Sequence, residues 1–307
     1  MKGIILAGGT GTRLYPLTKV MTKQLQPIYD KPMIYYPLSL LMLCGIKEIL
    51  IISTEQDLPN FKNLLGDGRH LGVKFDYVVQ DSPRGIADAF ILGEEFLSGS
   101  PSMLILGDNL FYGDYSPFRQ AIKKQVSDFK EKKSSAHVFA YAVSDPGRYG
   151  VVEFDSETRR VLSIEEKPKK PKSSYAIPGL YLFDETVSQR ARHQAPSPRG
   201  ELEITDLMAT YLNEGTLKVE TINRGMAWLD TGTPKSLLEA WSFIAALEER
   251  QGLKVACLEE IALRMNFIDK NGLTQIIESI PKGPYQHYLI NVLQEARSGQ
   301  EVRDAIF

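Results

Sequence analysis

The sequence is poor in cysteine and histidine, with two of the first and four of the second in 307 residues. Cys44 and Cys257 stand far apart among apolar neighbours and form no CxxC. That excludes a disulfide framework and a thiol redox motif, and it leaves reduced structural thiols, as expected of a cytoplasmic protein. His70, His137, His193 and His287 show no metal-ligand spacing and read as surface or packing residues. An excess of one charge is also missing. Lys plus Arg number 36 against 38 Asp plus Glu, a formal net charge of -2, so no basic field draws in a nucleic-acid polymer or an anionic membrane. No apolar stretch approaches a membrane span. The apolar run before the first glycines is too short for a signal-peptide core. A G-x-S-x-G string is absent, which counts against hydrolases of that type.

What the chain does have stands at its start. Ile4 to Ala7 is a short β-rich apolar run, as a buried parallel strand should be, and Gly8, Gly9 and Gly11 then break it. Glycines at a strand end let backbone N–H groups turn toward an anion. Arg13 adds a planar cation suited to two phosphate oxygens at once, and Lys23 adds a second cation. The predicted ligand is a nucleoside triphosphate. A dinucleotide fingerprint fails because Leu14 occupies the place of its third glycine. A Walker A loop fails because no Gly-Lys-Ser/Thr follows a glycine at the required spacing.

Further apolar β-rich runs fall at Ile49–Ser53, Val73–Val79, Met103–Leu106, His137–Tyr141, Tyr149–Phe154, Val161–Ile164, Gly179–Phe183 and Leu217–Ile222. Helical spacing fills Pro32–Cys44, Leu58–Leu65, Ile86–Leu97, Phe118–Lys132 and Glu203–Leu212. This alternation predicts βαβ units: a mixed, mainly parallel central sheet flanked by helices, with the ligand site at the strands' carboxyl ends. From Pro234 the strand signals stop. Ser236–Arg250, Glu259–Met265, Leu273–Ile280 and Tyr288–Arg297 read as helices, giving a core over 1–233 and a helical C-terminal region over 234–307. The apolar faces of that region suit subunit contacts.

The run Met103 to Asn109 delivers Asp108 at a strand's carboxyl end, beside the predicted phosphate loop. Mg²⁺ takes one or two carboxylates together with phosphate oxygens and water, and Asp230, before a Thr-Gly turn, is the candidate second ligand. A turn or capping role for Asp230 is the competing reading. Lys167 and Arg199 offer a second phosphate two cations, and the Gln80 amide is suited to reading the edge of a base.

These strings together resemble the sugar nucleotidyltransferase family, specifically its glucose-1-phosphate thymidylyltransferase branch. The pieces are LAGGTGTRLYPLT at 6–18, KQLQPIYDKPMIYYPL at 23–38, LGDNLFYG at 106–113, DPGRYGVVEF at 145–154, EEKP at 165–168, SPRGELEITD at 197–206 and WLDTGT at 228–233. The resemblance implies a Rossmann-like nucleotidyltransferase core and a Mg²⁺-dependent reaction of dTTP with glucose 1-phosphate, giving dTDP-glucose and pyrophosphate. It also implies a homotetramer serving dTDP-deoxysugar synthesis, often that of rhamnose. Leu6, Gly8, Gly9, Gly11, Thr12 and Arg13 then match the nucleotide loop, Lys23 the catalytic lysine, and Asp108 and Asp230 the metal aspartates. Gln80 and Gly85 match the thymine contacts. Asn109, Gly150, Glu166 and Ile177 match the sugar pocket, and Lys167 and Arg199 the clamp on its phosphate. A second, regulatory nucleotide site is implied near Tyr112, Gly113 and Arg264. The chain departs from the family pattern at Gln26, where leucine is usual, and at Arg84 and Asp88, where aspartate and glutamine are frequent. It departs again at Pro178, where threonine is frequent. Two alternatives remain open at this point: a uridylyltransferase, and a non-catalytic protein that binds sugar nucleotides.

Overall fold

A computed structural model describes residues 1–9 and 11–298; Thr10 and the end of the C-terminal region lie outside the described residues. The first half places β1 at Lys2–Leu6, β2 at Pro27–Ile28, β3 at Lys31–Pro32, α1 at Tyr35–Leu43, β4 at Glu48–Ser53, α2 at Leu58–Leu65 and β5 at Lys74–Val79. It continues with α3 at Asp88–Leu92, α4 at Glu94–Leu97, β6 at Ser102–Leu106, β7 at Asn109–Tyr112 and α5 at Ser116–Lys130. The second half adds β8 at Ala136–Ala142, β9 at Gly150–Phe154, β10 at Val161–Glu166, β11 at Tyr175–Ile177, β12 at Leu180–Phe183, α6 at Val187–Arg192 and α7 at Ile204–Asn213. It closes with β13 at Leu217–Thr221, β14 at Ala227–Asp230, α8 at Pro234–Gln251, α9 at Leu258–Arg264, α10 at Lys270–Ser279 and α11 at Pro284–Ser298.

The central sheet runs β10-β9-β11-β8-β12-β6-β1-β4-β5, with β13 also on β8. Strands β6, β1, β4 and β5 are mutually parallel, while β12 enters antiparallel between β6 and β8. The sheet is therefore mixed, and its parallel part is the part that carries the glycine loop. Side chains alternate across each strand. Ile5, Ile49, Ile51 and Ile105 enter one apolar cluster, and Ile4, Leu50, Ile52 and Leu104 enter another. Both faces are covered, which is why these strands read as continuous apolar runs.

Two details depart from the periodicity. The predicted helix over Ile86–Leu97 is two short helices interrupted at Gly93, where a Cβ would stand 2.9 Å from the Ala89 carbonyl oxygen and 3.1 Å from Leu50. A side chain there would crowd the Ala89 carbonyl and press on the sheet's Leu50 and Ile4. The predicted helix over Pro32–Cys44 begins only at Tyr35, because Lys31 and Pro32 pair with β2.

The C-terminal helices pack on the core. Leu258, Ile261 and Ala262 of α9 join the same apolar cluster as α1. Lys31, 2 % exposed, donates to Glu248 of α8 at 2.8 Å, and the same carboxylate accepts from the Val255 N–H. Among the described residues no helix is long and apolar enough to cross a membrane. Both cysteines are free thiols.

His137 on β8 is fully buried, and neither ring nitrogen has a hydrogen-bond partner. Burial pushes its imidazole down to about 3; Lys218 and Lys124 add to the shift and Asp128 opposes it. The Glu220 carboxylate stands 3.9 Å away. The fold therefore favours the neutral ring. Above the ordinary value of 6.5 that preference costs nothing; below it the unfolded chain takes up a proton that the folded chain refuses. Stability from this residue then falls by about 1.4 kcal/mol per pH unit until the folded value is reached. His137→Leu should flatten the decline in urea-unfolding free energy between about pH 6 and about pH 4. An unchanged slope would locate the acid sensitivity elsewhere.

Candidate active site

The carboxyl ends of the parallel strands converge. After β1 the chain enters the glycine loop, after β4 it reaches Thr54 and Asp57, after β5 it reaches Gln80, and after β6 it reaches Asp108. Ladder hydrogen bonds continue past the strand ends, from Ala7 N to Ile52 O, from Gln80 N to Ser53 O and from Gly107 N to Leu6 O. They bring the site-bearing residues into register. Gly11 adopts φ 57°, and a Cβ there would stand 2.6 Å from Thr18. Thr18 in turn donates its hydroxyl to the Gly11 carbonyl at 2.9 Å. Only glycine satisfies both the backbone angle and the contact.

Two adjoining clefts open at this edge. One, of about 240 Å³, is lined by Gly8, Gly11, Thr12, Arg13, Gln24 and Asp108 among others. The other, of about 290 Å³, is lined by Thr22, Thr54, Asp57, Gln80, Ser82 and Pro83 among others. Gly9 and Lys23 belong to both. Lys23 is 8 % exposed and donates to Asp108 Oδ2 at 2.5 Å, while Asp108 Oδ1 accepts from Asn109 at 2.9 Å. Arg13 is exposed. Its position on the cleft wall leaves the guanidinium facing solvent, available to an anion.

Asn109 holds several parts together. Its Oδ1 accepts from Trp228 Nε1 at 2.6 Å and from Gly179 N at 3.2 Å. Strands β7 and β14 pair so that Asn109 lies opposite Asp230, and Thr231 donates to the Asp108 carbonyl at 2.9 Å. Asp108, in the turn between β6 and β7, is thus tied through its carbonyl to the residue that follows Asp230 at the end of β14. Both aspartate side chains are 30 % exposed, one facing Lys23 and the other facing Arg148 at 3.5 Å. Burial, and then the Asp230 carboxylate, raise the neighbouring Tyr149 phenol above its ordinary value.

The predicted sugar-phosphate residues also meet. Lys167 Nζ lies 3.0 Å from Glu166, and Arg199 lies 2.8 Å from Glu203 and 3.8 Å from Glu166. The Glu203 hydrogen bond raises the Arg199 guanidinium further above its ordinary value. A Cβ at Gly150 would stand 3.5 Å from Glu166, 3.8 Å from Ile177 and 3.4 Å from Thr205. Lys167 has φ 43°, a left-handed conformation costly for any residue with a Cβ. Its N–H is held by the Tyr149 carbonyl at 3.1 Å, next to the Arg148 that faces Asp230.

A profile of the nucleotidyl transferase family matches residues 2–246. The chain belongs to that family. Within this nucleotidyl transferase family it is 50 % identical over 295 residues to a glucose-1-phosphate thymidylyltransferase of Neisseria meningitidis, covering 96 % of this chain and all of the relative. It is also 50 % identical over 294 residues to the protein of that name from Mycobacterium tuberculosis, covering 96 % and 99 % of the two chains. A solved Bacillus anthracis chain, assigned as a glucose-1-phosphate thymidylyltransferase in complex with a sucrose, aligns with TM-score 0.72 and 43 % identity, over 79 % of this chain and 94 % of that one. A UDP-glucose pyrophosphorylase complexed with UDP-glucose, 24 % identical, shares the fold with TM-score 0.69, over 81 % and 99 % of the two chains.

Several site positions were not legible as such. Arg148 faces Asp230, yet the DPGRYG string gave it no role. Thr205, 5 % exposed, lies against Gly150 without a sequence signal beyond its place after SPRGELEI. Gln26 is 7 % exposed and donates to the Leu17 carbonyl at 3.0 Å, tying the segment after the glycine loop to that of Lys23. Gly85, by contrast, was implied by the resemblance as a thymine contact; it has φ 102°, and a Cβ there would collide with Leu202 backbone, 2.4 Å from its carbonyl oxygen. The three residues of the implied regulatory site fall differently. Arg264 lines a cleft of about 650 Å³ among the C-terminal helices, whose lining does not include Tyr112 or Gly113. Tyr112 packs on Phe243 with ring centroids 5.8 Å apart, and Gly113 abuts the Gly225 carbonyl.

Proposed function

We propose that this protein transfers a thymidylyl group from dTTP to glucose 1-phosphate, forming dTDP-glucose and pyrophosphate. The observation that carries the reading is Lys23 on Asp108 at the junction of two clefts, with Arg13 on one wall and Gln80 on the other. A triphosphate fits along the first cleft and a base in the second. The names of relatives at half identity over nearly the full length support the same substrates. The dTDP-deoxysugar route and a homotetramer belong to this reading as the family's expectations.

An oxygen of glucose 1-phosphate attacks the α-phosphorus of dTTP in line, the bond to the β-phosphate oxygen breaks, and pyrophosphate leaves. The attacking phosphate is anionic at neutral pH, so no protein nucleophile is needed. The protein's work is positioning and neutralising charge. Lys23 has three donors, one of which Asp108 occupies; the other two serve the α-phosphate. Arg13 holds the β- and γ-phosphates by its fork. Lys167 and Arg199 hold the sugar phosphate, and Glu166 accepts from sugar hydroxyls.

Asp108 and Asp230 are an oxygen-only pair suited to Mg²⁺, which prefers one or two carboxylates with phosphate oxygens and water. Among the described residues no cluster of three or more His, Cys, Asp or Glu forms a cage, so the substrates would complete the coordination. The cation would supply charge stabilisation to the phosphates it touches.

Two measurements test this. Pyrophosphate release with glucose 1-phosphate should be faster with dTTP than with UTP, GTP or ATP; release favouring UTP would make the protein a uridylyltransferase. Arg199→Ala should raise KM for glucose 1-phosphate by about 10- to 100-fold, the range of one charge-assisted hydrogen bond, and leave KM for dTTP within about twofold. Equal rises in both would remove Arg199 from the sugar side.

A further inference from the structure

Arg84 and Asp88, the two departures near the base cleft, form one unit with Gln80. Asp88 is 2 % exposed at the start of α3. Arg84, on the exposed side, reaches it with Nε 3.2 Å from Oδ1 and meets Asp81 at 3.0 Å as well. The Asp88 hydrogen bond raises the arginine further above its ordinary value. Both Asp88 oxygens accept in this arrangement, Oδ1 from the Arg84 guanidinium and Oδ2 from the group on its other side, and a carboxylate oxygen so placed offers lone pairs and no proton. The group it faces on the other side is the Gln80 amide, 3.1 Å from Oδ2.

That chemistry decides which way the amide lies. Nε2 must face Asp88, so Oε1 faces the opposite way, over Gly8, where a Cβ would stand only 2.6 Å from it. No donor among the described residues meets Oε1, and Gln80 lines the base-side cleft. The backbone adds rigidity, since the Gln80 N–H donates to Ser53 O at 2.7 Å.

We propose that Asp88, held by Arg84, is a positioning residue that fixes Gln80 with its carbonyl oxygen toward the cleft, so that the site accepts pyrimidines bearing a hydrogen on ring N3 and rejects cytosine. Thymine and uracil carry that N–H donor, whereas cytosine presents an acceptor at N3, which would oppose Oε1 lone pair to lone pair. The inference rests on the reading of this cleft as a nucleoside triphosphate site. It makes the selectivity a property of amide orientation, set by a residue that need not touch the base.

The test is equilibrium binding of dTTP and dCTP by titration calorimetry on the full chain, which requires no turnover. In Asp88→Asn the neighbour can donate as well as accept, and the Gln80 amide is free to turn. The ratio of the dCTP to the dTTP dissociation constant should fall about tenfold, the worth of one hydrogen bond. In a Gln80→Ala background the same substitution should change that ratio less than about twofold, because nothing remains to orient. An unchanged ratio in Asp88→Asn, or an equal change in both backgrounds, overturns the proposal. Should Asp88→Asn not fold, Asp88→Ser, whose hydroxyl donates as well as accepts and so leaves the amide free to turn, reads the same ratio and should move it in the same direction; a ratio left at the wild-type value overturns the proposal. A wild type that prefers dTTP to dCTP and releases no pyrophosphate would contradict the catalytic reading and support this one; a wild type that binds both equally overturns this one whatever its turnover.

Discussion

Arg13→Ala should lower kcat/KM by about 10²- to 10³-fold while leaving the unfolding free energy within about 0.5 kcal/mol of wild type. Both halves of that expectation come from one observation, that the side chain is exposed on the cleft wall next to the glycine loop. A group that packs on nothing in the core can be removed without loss of fold. A group whose charge faces the developing negative charge of pyrophosphate is costly to lose in the transition state. Arg13→Lys should recover part of the rate, since an ammonium restores charge without the planar two-point fork. Steady-state kinetics beside a denaturation curve checks both halves. A rate within a few-fold of wild type would remove Arg13 from the phosphate path.

Asp108→Asn should produce a loss of the same order, about 10²- to 10³-fold in turnover, for a different reason. The substitution keeps the shape and a hydrogen-bonding partner for Asn109 but removes the charge that lies 2.5 Å from Lys23. It also removes one of the two carboxylates suited to a cation. The variant should therefore require a higher Mg²⁺ concentration for half-maximal rate, a change that Arg13→Ala should not show. If turnover falls with the Mg²⁺ dependence unaltered, Asp108 serves only as partner to Lys23. If neither changes, the carboxylate is outside the chemistry.

The glycine loop after β1 was legible in the sequence because three glycines break an apolar β-rich run, and the two cations near it made an anion the expected ligand. The parallel strands were legible because both of their faces are buried, so each appears as an unbroken apolar run. The small sheet of β7 and β14 was not, since Ala227–Asp230 is half-buried throughout and carries no alternation. Yet that sheet is what places Asp230 opposite Asn109 and beside Asp108. Individual residues behaved in the same way. Glu166 and Lys167 come from one string and Arg199 from another, and the meeting point of the two depends on long-range pairing. The break at Gly93 was hidden because a glycine inside a helical pattern gives no sign of what approaches it. At Arg84 and Asp88 the departure from pattern was visible, but the ion pair and its hold on Gln80 emerge only from the folded chain.

The measurement that tests the central claim most directly is the fate of the α-phosphorus. Protein incubated with dTTP labelled at that atom, glucose 1-phosphate and Mg²⁺ should place the label in dTDP-glucose, with one pyrophosphate released per product and none of the label bound to protein. Label retained on the protein would contradict direct in-line transfer, and label remaining in dTTP would contradict the proposed activity itself.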